Sequence, residues 1–369
     1  MKNLKSLMFL ALISLSILSC KKDEVVIHEI KPAVINADNY TKGGTLSLLY
    51  SSDAGASYSA DLGSVAAGTP VLIKVNNGTE DLTAEDFSFD WSGTTPSVDD
   101  NAAAQVTVTV NAELTVSVTI ADINTLIVSS ASDGQFYTID SSDGALTSLY
   151  PFSFNGNDLL GTRGFVYHYG QQKYYATTDN KNGGGFYTID PATKLATFID
   201  DEISGPWNDA MSNLVVMPND SVFASNYTKI LIFGTDGNQG REFDPGDNGI
   251  DFCCGQAMIA NTSNDGVIIG FNGEKLIKTA LVGFDGVSED GSDIDDLIGF
   301  PSSIETNTEE LYPKAFAKAN DGSVYVLLFN YNTKDTYFAK IDFSAASMTY
   351  ISTFTEKFNS LASVPNYLL

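Results

Sequence analysis

The sequence predicts an all-β chain, with a small β-sandwich ahead of a ring built from repeated four-stranded units. Two observations carry that prediction. The pentapeptide "FYTID" stands at 136–140 and again at 186–190, and its closing Asp returns in "IFGTD" at Asp236, "LVGFD" at Asp285 and "FAKID" at Asp342. Those aspartates, from Asp140 onward, lie 50, 46, 49 and 57 positions apart. Out of phase with them runs a second signature of strand, turn and strand, as in "SNLVVMPNDSVFAS", "AMIANTSNDGVIIGF" and "KAFAKANDGSVYVLLF". Asn, Asp and Gly tolerate positive-φ turn conformations, so such a turn between apolar runs marks a hairpin.

Taken in chain order, residues 33–121 are rich in Ala, Ser, Thr and Val. They carry short alternating runs such as "PVLIKV", "FSFDW", "QVTVTV" and "LTVSVTI". Period-two alternation broken by Gly, Asn and Asp reads as half-buried strands of a β-sandwich, with Phe87, Phe89 and Trp91 on its core face. From about Ile123 the units begin. A repeat of about 45–50 residues holding four strands is the signature of a β-propeller blade. Inner strands centre on Phe165, Leu214, Met258, Phe316 and Leu361. The first unit opens with "TLIVSS", a second strand, so the C-terminal "NSLASVPNYLL" is expected to complete it and close the ring. Five blades with that seam is the expectation. Six is the alternative, because the stretch 285–314 is long enough to contain more strands. In this scheme "FYTID" is the third strand of a blade, with its Phe and Ile on one packing face and its Asp opening the next turn.

Composition bounds the function. Of 369 residues, 46 are acidic and 20 basic, a formal charge of −26. So acidic a surface repels nucleic-acid phosphates and anionic headgroups, which excludes those as expected partners. The first 20 residues, "MKNLKSLMFLALISLSILSC", combine basic Lys2 and Lys5 with a short apolar stretch, the pattern of a processing signal. Its end, "ILSC", resembles the lipobox of bacterial lipoproteins. That resemblance implies cleavage after residue 19, lipidation of Cys20 and anchoring in a membrane by more than one acyl chain. The following Lys22, Asp23 and Glu24 resemble the export signal of Bacteroidota surface lipoproteins, implying display on the outer face of the outer membrane. The expected division is therefore a signal at 1–19, a lipidated tether at 20–32, the sandwich at 33–121 and the propeller at 122–369. The sandwich resembles Ig-like or PKD-like spacer domains, and the propeller resembles quinoprotein-like or NHL-like propellers, whose cofactor ligands find no match here.

The chain has 2 histidines and no HxxxH, HExxH or Cys/His cluster, so a transition-metal site lacks its ligands. His168 is expected to pack or to line the channel. Residues at the starts of the inner strands are the candidate ligand set: Arg163, Asn208, Asp209, Gln256, Lys314 and Asn359, with Trp207 beside them in "ISGPWNDA". Only Asp209 in that set is a carboxylate, whereas glycoside hydrolysis needs two converging. The set suits hydrogen bonding to a neutral polar ligand. Cys253 and Cys254 in "DFCCGQ" are adjacent, so a bond between them would close a strained ring, and a free pair is the alternative. The acidic run "DGVSEDGSDIDD" offers Asp290, Asp293 and Asp295 as a Ca²⁺ candidate without full loop spacing. No other cofactor is implied. The function expected is non-catalytic binding of a glycan or protein at the cell surface. The alternatives are a propeller-type glycoside hydrolase or lyase with diverged residues, and a structural subunit of an outer-membrane complex.

Overall fold

The computed structural model describes residues 26–30, 34–93, 104–130, 133–179, 185–200, 212–217, 219–225, 230–243, 256–260, 266–271, 276–281, 292–294, 296–301 and 311–369. The chain divides into two compact units, Met1–Asp122 and Ile123–Leu369. The described residues are all-β apart from one 3₁₀ turn at Asn366–Leu368.

The first unit holds two three-stranded sheets. One orders Val34–Asn39, Val116–Asp122 and Phe87–Gly93; the other orders Ser47–Ser51, Thr69–Asn76 and Gln105–Val110. Most of these strands bury alternate residues, because side chains on a strand point to opposite faces in turn. Val71, Ile73 and Val75 are buried, and so are Phe87, Phe89 and Trp91, while Ser88 and Asp90 between them are exposed. Phe89 stacks on Trp91 with ring centroids 6.2 Å apart.

The second unit is β-propeller-like, and its strands are organised differently. The first sheet runs inner to outer as Phe358–Pro365, Asn124–Ser130, Gln135–Ile139 and Leu146–Pro151. The C-terminal strand thus forms its inner edge. The second sheet is Thr162–His168, Lys173–Thr178, Gly185–Ile189 and Ala196–Asp200, and the third is Ser212–Val216, Val222–Ser225, Ile230–Phe233 and Gln239–Phe243. The fourth is Gln256–Ala260, Gly266–Phe271, Leu276–Leu281 and Ser292–Asp293. The fifth is Leu311–Lys318, Val324–Asn330, Thr336–Asp342 and Ser347–Phe354. Asp296–Ile298, from the stretch long enough for further strands, pairs in parallel with Ser347–Phe354 and covers the outer edge of the fifth sheet. Each inner strand packs on the next in this order, and that of the fifth sheet packs on Phe358–Pro365 of the first.

Five apolar clusters fill the spaces between consecutive sheets. Between the first and second lie Phe136, Phe152, Phe165 and Tyr174; between the second and third, Tyr175, Phe186, Leu214 and Phe233. Val215, Phe223, Met258 and Ile268 fill the third-to-fourth space. Ile269, Leu276 and Phe316 begin the fourth-to-fifth cluster, and Leu126, Ile139, Ala315 and Phe338 lie between the fifth and first sheets. Every sheet is therefore buried on both faces, and neighbours such as Tyr174 and Tyr175 serve different clusters. This is why these strands read as continuous apolar runs rather than alternating ones.

The same rule corrects the expectation for "FYTID". Its Phe and Ile are three residues apart, so they face opposite sides of the strand. In both copies the Phe faces the following sheet and the Ile the preceding one: Phe136 and Phe186 forward, Ile139 and Ile189 back. The Asp does open the next turn. Asp140 Oδ1 accepts from Ser142 N at 2.8 Å and Asp190 Oδ1 from Thr193 N at 2.8 Å. The Ser142 hydroxyl, which donates to Asp140 Oδ1 at 2.6 Å, and these backbone bonds hold both carboxyls below the usual aspartate range.

Candidate functional site

The inner strands begin with a shared irregularity. Pairing to the second strand slips between Thr162 and Gly164, Ser212 and Leu214, Pro313 and Ala315, and Phe358 and Ser360. Arg163, Asn213, Lys314 and Asn359 are the extra residues, and a β-bulge re-aims the residue it inserts. Gln256 pairs with Gly270 without a slip. Three of the four bulge residues belong to the set singled out from sequence; Asn213 does not. Its signal was the Asn directly before an apolar run, a residue type that accepts the left-handed backbone (φ 53°) found here.

These polar side chains are drawn into the fold. Asn213, only 3% exposed, donates from Nδ2 to the Met258 carbonyl at 3.1 Å and accepts from Phe316 N at Oδ1 at 3.3 Å. One side chain thereby ties the third, fourth and fifth inner strands together. Asn359 Nδ2 donates to the Thr162 carbonyl at 3.4 Å, joining first sheet to second. Arg163 Nη2 lies 3.7 Å from Asp179 Oδ2. Lys314 is buried with its ammonium 5.2 Å from the Tyr331 ring centroid and 5.9 Å from that of Phe329. Gly164, beside the Arg163 bulge, must be glycine: a Cβ there would lie 2.7 Å from Leu214 Cγ and 2.8 Å from Thr177 Oγ1. Asp293 sits in the outermost strand of the fourth sheet, paired with Ile277. Cys20, Lys22, Asp23, Glu24, Trp207, Asn208, Asp209, Cys253, Cys254, Asp290 and Asp295 lie outside the described residues.

Toward the other ends of the inner strands they surround a cavity of about 1020 Å³. Val166, Val216, Met258, Ile259, Phe316 and Leu361 contribute to its lining, one or more from every sheet. Polar groups gather where the inner strands turn into the second strands: Asn124, His168, Tyr169, Asp220, Lys318 and Ser363. Asp220 and Lys318 are exposed, whereas His168 is 1% exposed. Gln171 N donates to His168 Nδ1 at 3.3 Å, which leaves the neutral ring's proton on Nε2. Nε2 stands 3.4 Å from Asp220 Oδ1, yet no hydrogen bond forms between them. Burial holds the His168 pKa below the usual histidine range, and the Asp220 charge offsets part of that fall. Asn124 Nδ2 donates to the Tyr169 hydroxyl at 2.9 Å, and its backbone is held by Asn320, whose Oδ1 accepts from Asn124 N at 3.1 Å.

A cavity lined largely by apolar side chains with a few polar groups at one end has the general form of a small-molecule site. Among the described lining residues Asp220 is the one carboxylate. The two-carboxylate arrangement of a glycoside hydrolase is therefore not assembled by them. Sequence reasoning placed His168 on the channel but did not single out Asn124, Asp220 or Ser363, which line the same cavity.

No protein-family model matches this chain, and no curated protein matches it. Among solved structures it is similar to a chain of a nidogen/laminin complex, at 10% identity and TM-score 0.42, covering 65% of this chain and 98% of that one. It is also similar to a Bacteroides caccae protein of unknown function, at 10% identity and TM-score 0.36, over 66% and 99% of the two chains. A Bacteroides thetaiotaomicron protein of unknown function is similar at 11% identity and TM-score 0.36, over 90% and 87%.

Proposed function

We propose that this chain is a lipid-anchored binding protein of the Bacteroidota cell surface whose propeller takes a small organic ligand into its central cavity. The observation that carries the reading is the 1020 Å³ cavity, apolar along its walls and polar at one end. Five sheets and five intervening clusters support a five-bladed ring, and the pairing of Phe358–Pro365 with Asn124–Ser130 supports its closure by the C-terminal strand. The two three-stranded sheets of the first unit support an Ig-like spacer between anchor and propeller. The anchor rests on Cys20 and the surface location on Lys22, Asp23 and Glu24.

Two measurements test this. The neutral fluorophore N-phenyl-1-naphthylamine should bind saturably, one site per chain. Val216→Phe should reduce that binding at least tenfold, because Val216 lines the cavity and is only half-buried, outside the five clusters. Full binding by a folded Val216→Phe variant would remove the cavity from consideration. Separately, replacing Lys22, Asp23 and Glu24 with alanine should protect the protein from protease added to intact cells. Unaltered cleavage would refute the surface signal.

A further inference from the structure

At the starting end of the fifth sheet, three lysines crowd one aromatic ring. Lys314 Nζ lies 5.2 Å from the Tyr331 ring centroid, Lys334 Nζ 5.5 Å and Lys357 Nζ 5.7 Å. Lys314 and Lys357 also stand over Phe329, at 5.9 and 4.9 Å. They come from the start of the inner strand, the turn after the second strand and the connection into the closing strand Phe358–Pro365. In a chain with 46 acidic and 20 basic residues, this gathering of cations is a local exception.

The backbone fixes the arrangement. Tyr312 pairs across from Phe329, and Tyr331 meets both rings edge to face, with centroids 4.6 and 4.9 Å away. Asn330, 3% exposed, accepts at Oδ1 from Asn332 N at 2.8 Å and from Thr333 N at 3.0 Å. Its carbonyl accepts from Lys334 N at 2.9 Å, which completes the turn that carries Tyr331 and Lys334. Thr336 Oγ1 donates to the Glu356 carbonyl at 2.7 Å and accepts from Phe358 N at 3.2 Å, holding the chain on both sides of Lys357. Lys314 is buried, Lys357, Tyr312 and Tyr331 are half-buried, and Lys334 is exposed, so the cluster runs from the interior to the surface.

An ammonium over a ring is attracted by the ring's quadrupole but keeps its charge. Three within 5.7 Å of one centroid raise one another's energy, and an anion placed among them lowers it. Asp335 and Glu356 adjoin two of these lysines in sequence, which still leaves the positive charges in excess. The half-buried tyrosine rings add apolar surface beside the charge. None of these residues lines the central cavity, so the two sites are separate.

We propose that this cluster binds a small organic anion, with its carboxylate or sulfonate at Lys334 and Lys357 and its apolar body against Tyr312 and Tyr331. The probe is 8-anilinonaphthalene-1-sulfonate, titrated into the mature chain with Cys20→Ser at pH 7.5 in about 0.15 M NaCl. At that ionic strength charges beyond about 8 Å are largely screened, so the acidic remainder of the surface has little influence. Combining Lys334→Gln with Lys357→Gln should weaken one class of probe site about tenfold. Lys340→Gln, an exposed lysine on the third strand of the same sheet, should leave that site as it is. Melting curves check that the variants fold; should the pair fail to, the exposed Lys334→Gln alone should weaken the site about threefold. Naphthalene-1-sulfonate should displace the probe at concentrations about tenfold lower than inorganic sulfate. Unchanged binding in a folded lysine variant, or an equal loss in Lys340→Gln, overturns the anion site. Equal competition by sulfate overturns the role of the rings. The cavity reading is tested separately by the uncharged fluorophore, so either can fail without the other.

Discussion

Two groups of polar side chains on or beside the inner strands differ in the partners they find, although Thr162 Oγ1 and Arg163 Nε at the starts also lack one among the described residues. At the starts, bulges turn Asn213 and Asn359 onto backbone groups of neighbouring strands, and Arg163 onto Asp179. At the finishes, Asn124, His168 and Ser363 each keep one buried polar atom without a partner among the described residues. The first arrangement gains stability from hydrogen bonds between sheets. The second leaves hydrogen-bonding capacity that the described residues do not use. Polar residues on the same strands thus divide into those that fasten sheets together and those with an atom to spare, and only their partners tell which is which.

Substitutions at the two ends should separate those roles. The largest effect is expected at Asn213→Ala. It leaves the Met258 carbonyl and the Phe316 amide buried without a side-chain partner, and should cost about 2–4 kcal/mol in urea denaturation. A loss below about 0.5 kcal/mol would show that the bulge does not fasten the ring. A smaller effect is expected in the pH dependence of stability. Burial lowers the His168 pKa in the fold, so the unfolded chain binds a proton more readily. Stability from this group is therefore complete above about pH 6.5 and declines as pH falls below it. In His168→Gln the fall in melting temperature between pH 7.5 and 5.5 should shrink. An unchanged slope would mean that another group titrates there. The smallest effect is expected at Ser363→Ala: with no hydrogen bond to lose, unfolding free energy should stay within about 0.5 kcal/mol of the parent. A loss comparable to that of Asn213→Ala would erase the distinction between the ends.

Much of the fold was legible because the repeat is written in local signals. Turn-forming Asp140 and Asp190 and the apolar hairpins act within a few residues of chain, so spacing alone exposes them. In the first unit, alternation identified Phe87, Phe89 and Trp91 as core, since only one face of each sheet is buried there. The second unit hides its faces: with apolar clusters on both sides, nothing in "FYTID" says which residue looks forward and which back until the sheets are placed. The bulges were equally silent, because a one-residue slip depends on what the partner strand presents.

The sequence by itself determined an all-β chain, a repeating four-strand unit and, for Arg163, Gln256, Lys314 and Asn359, the strand on which each stands. Tertiary structure alone decided what those candidates do. Asn359 and Ser363 are four residues apart on one strand, yet one binds a neighbouring carbonyl and the other borders the cavity without a partner among the described residues. Hydrogen bonds act over about 3 Å. Whether a polar group is satisfied therefore depends on atoms hundreds of residues away in sequence, as Asn124 and Ser363 are.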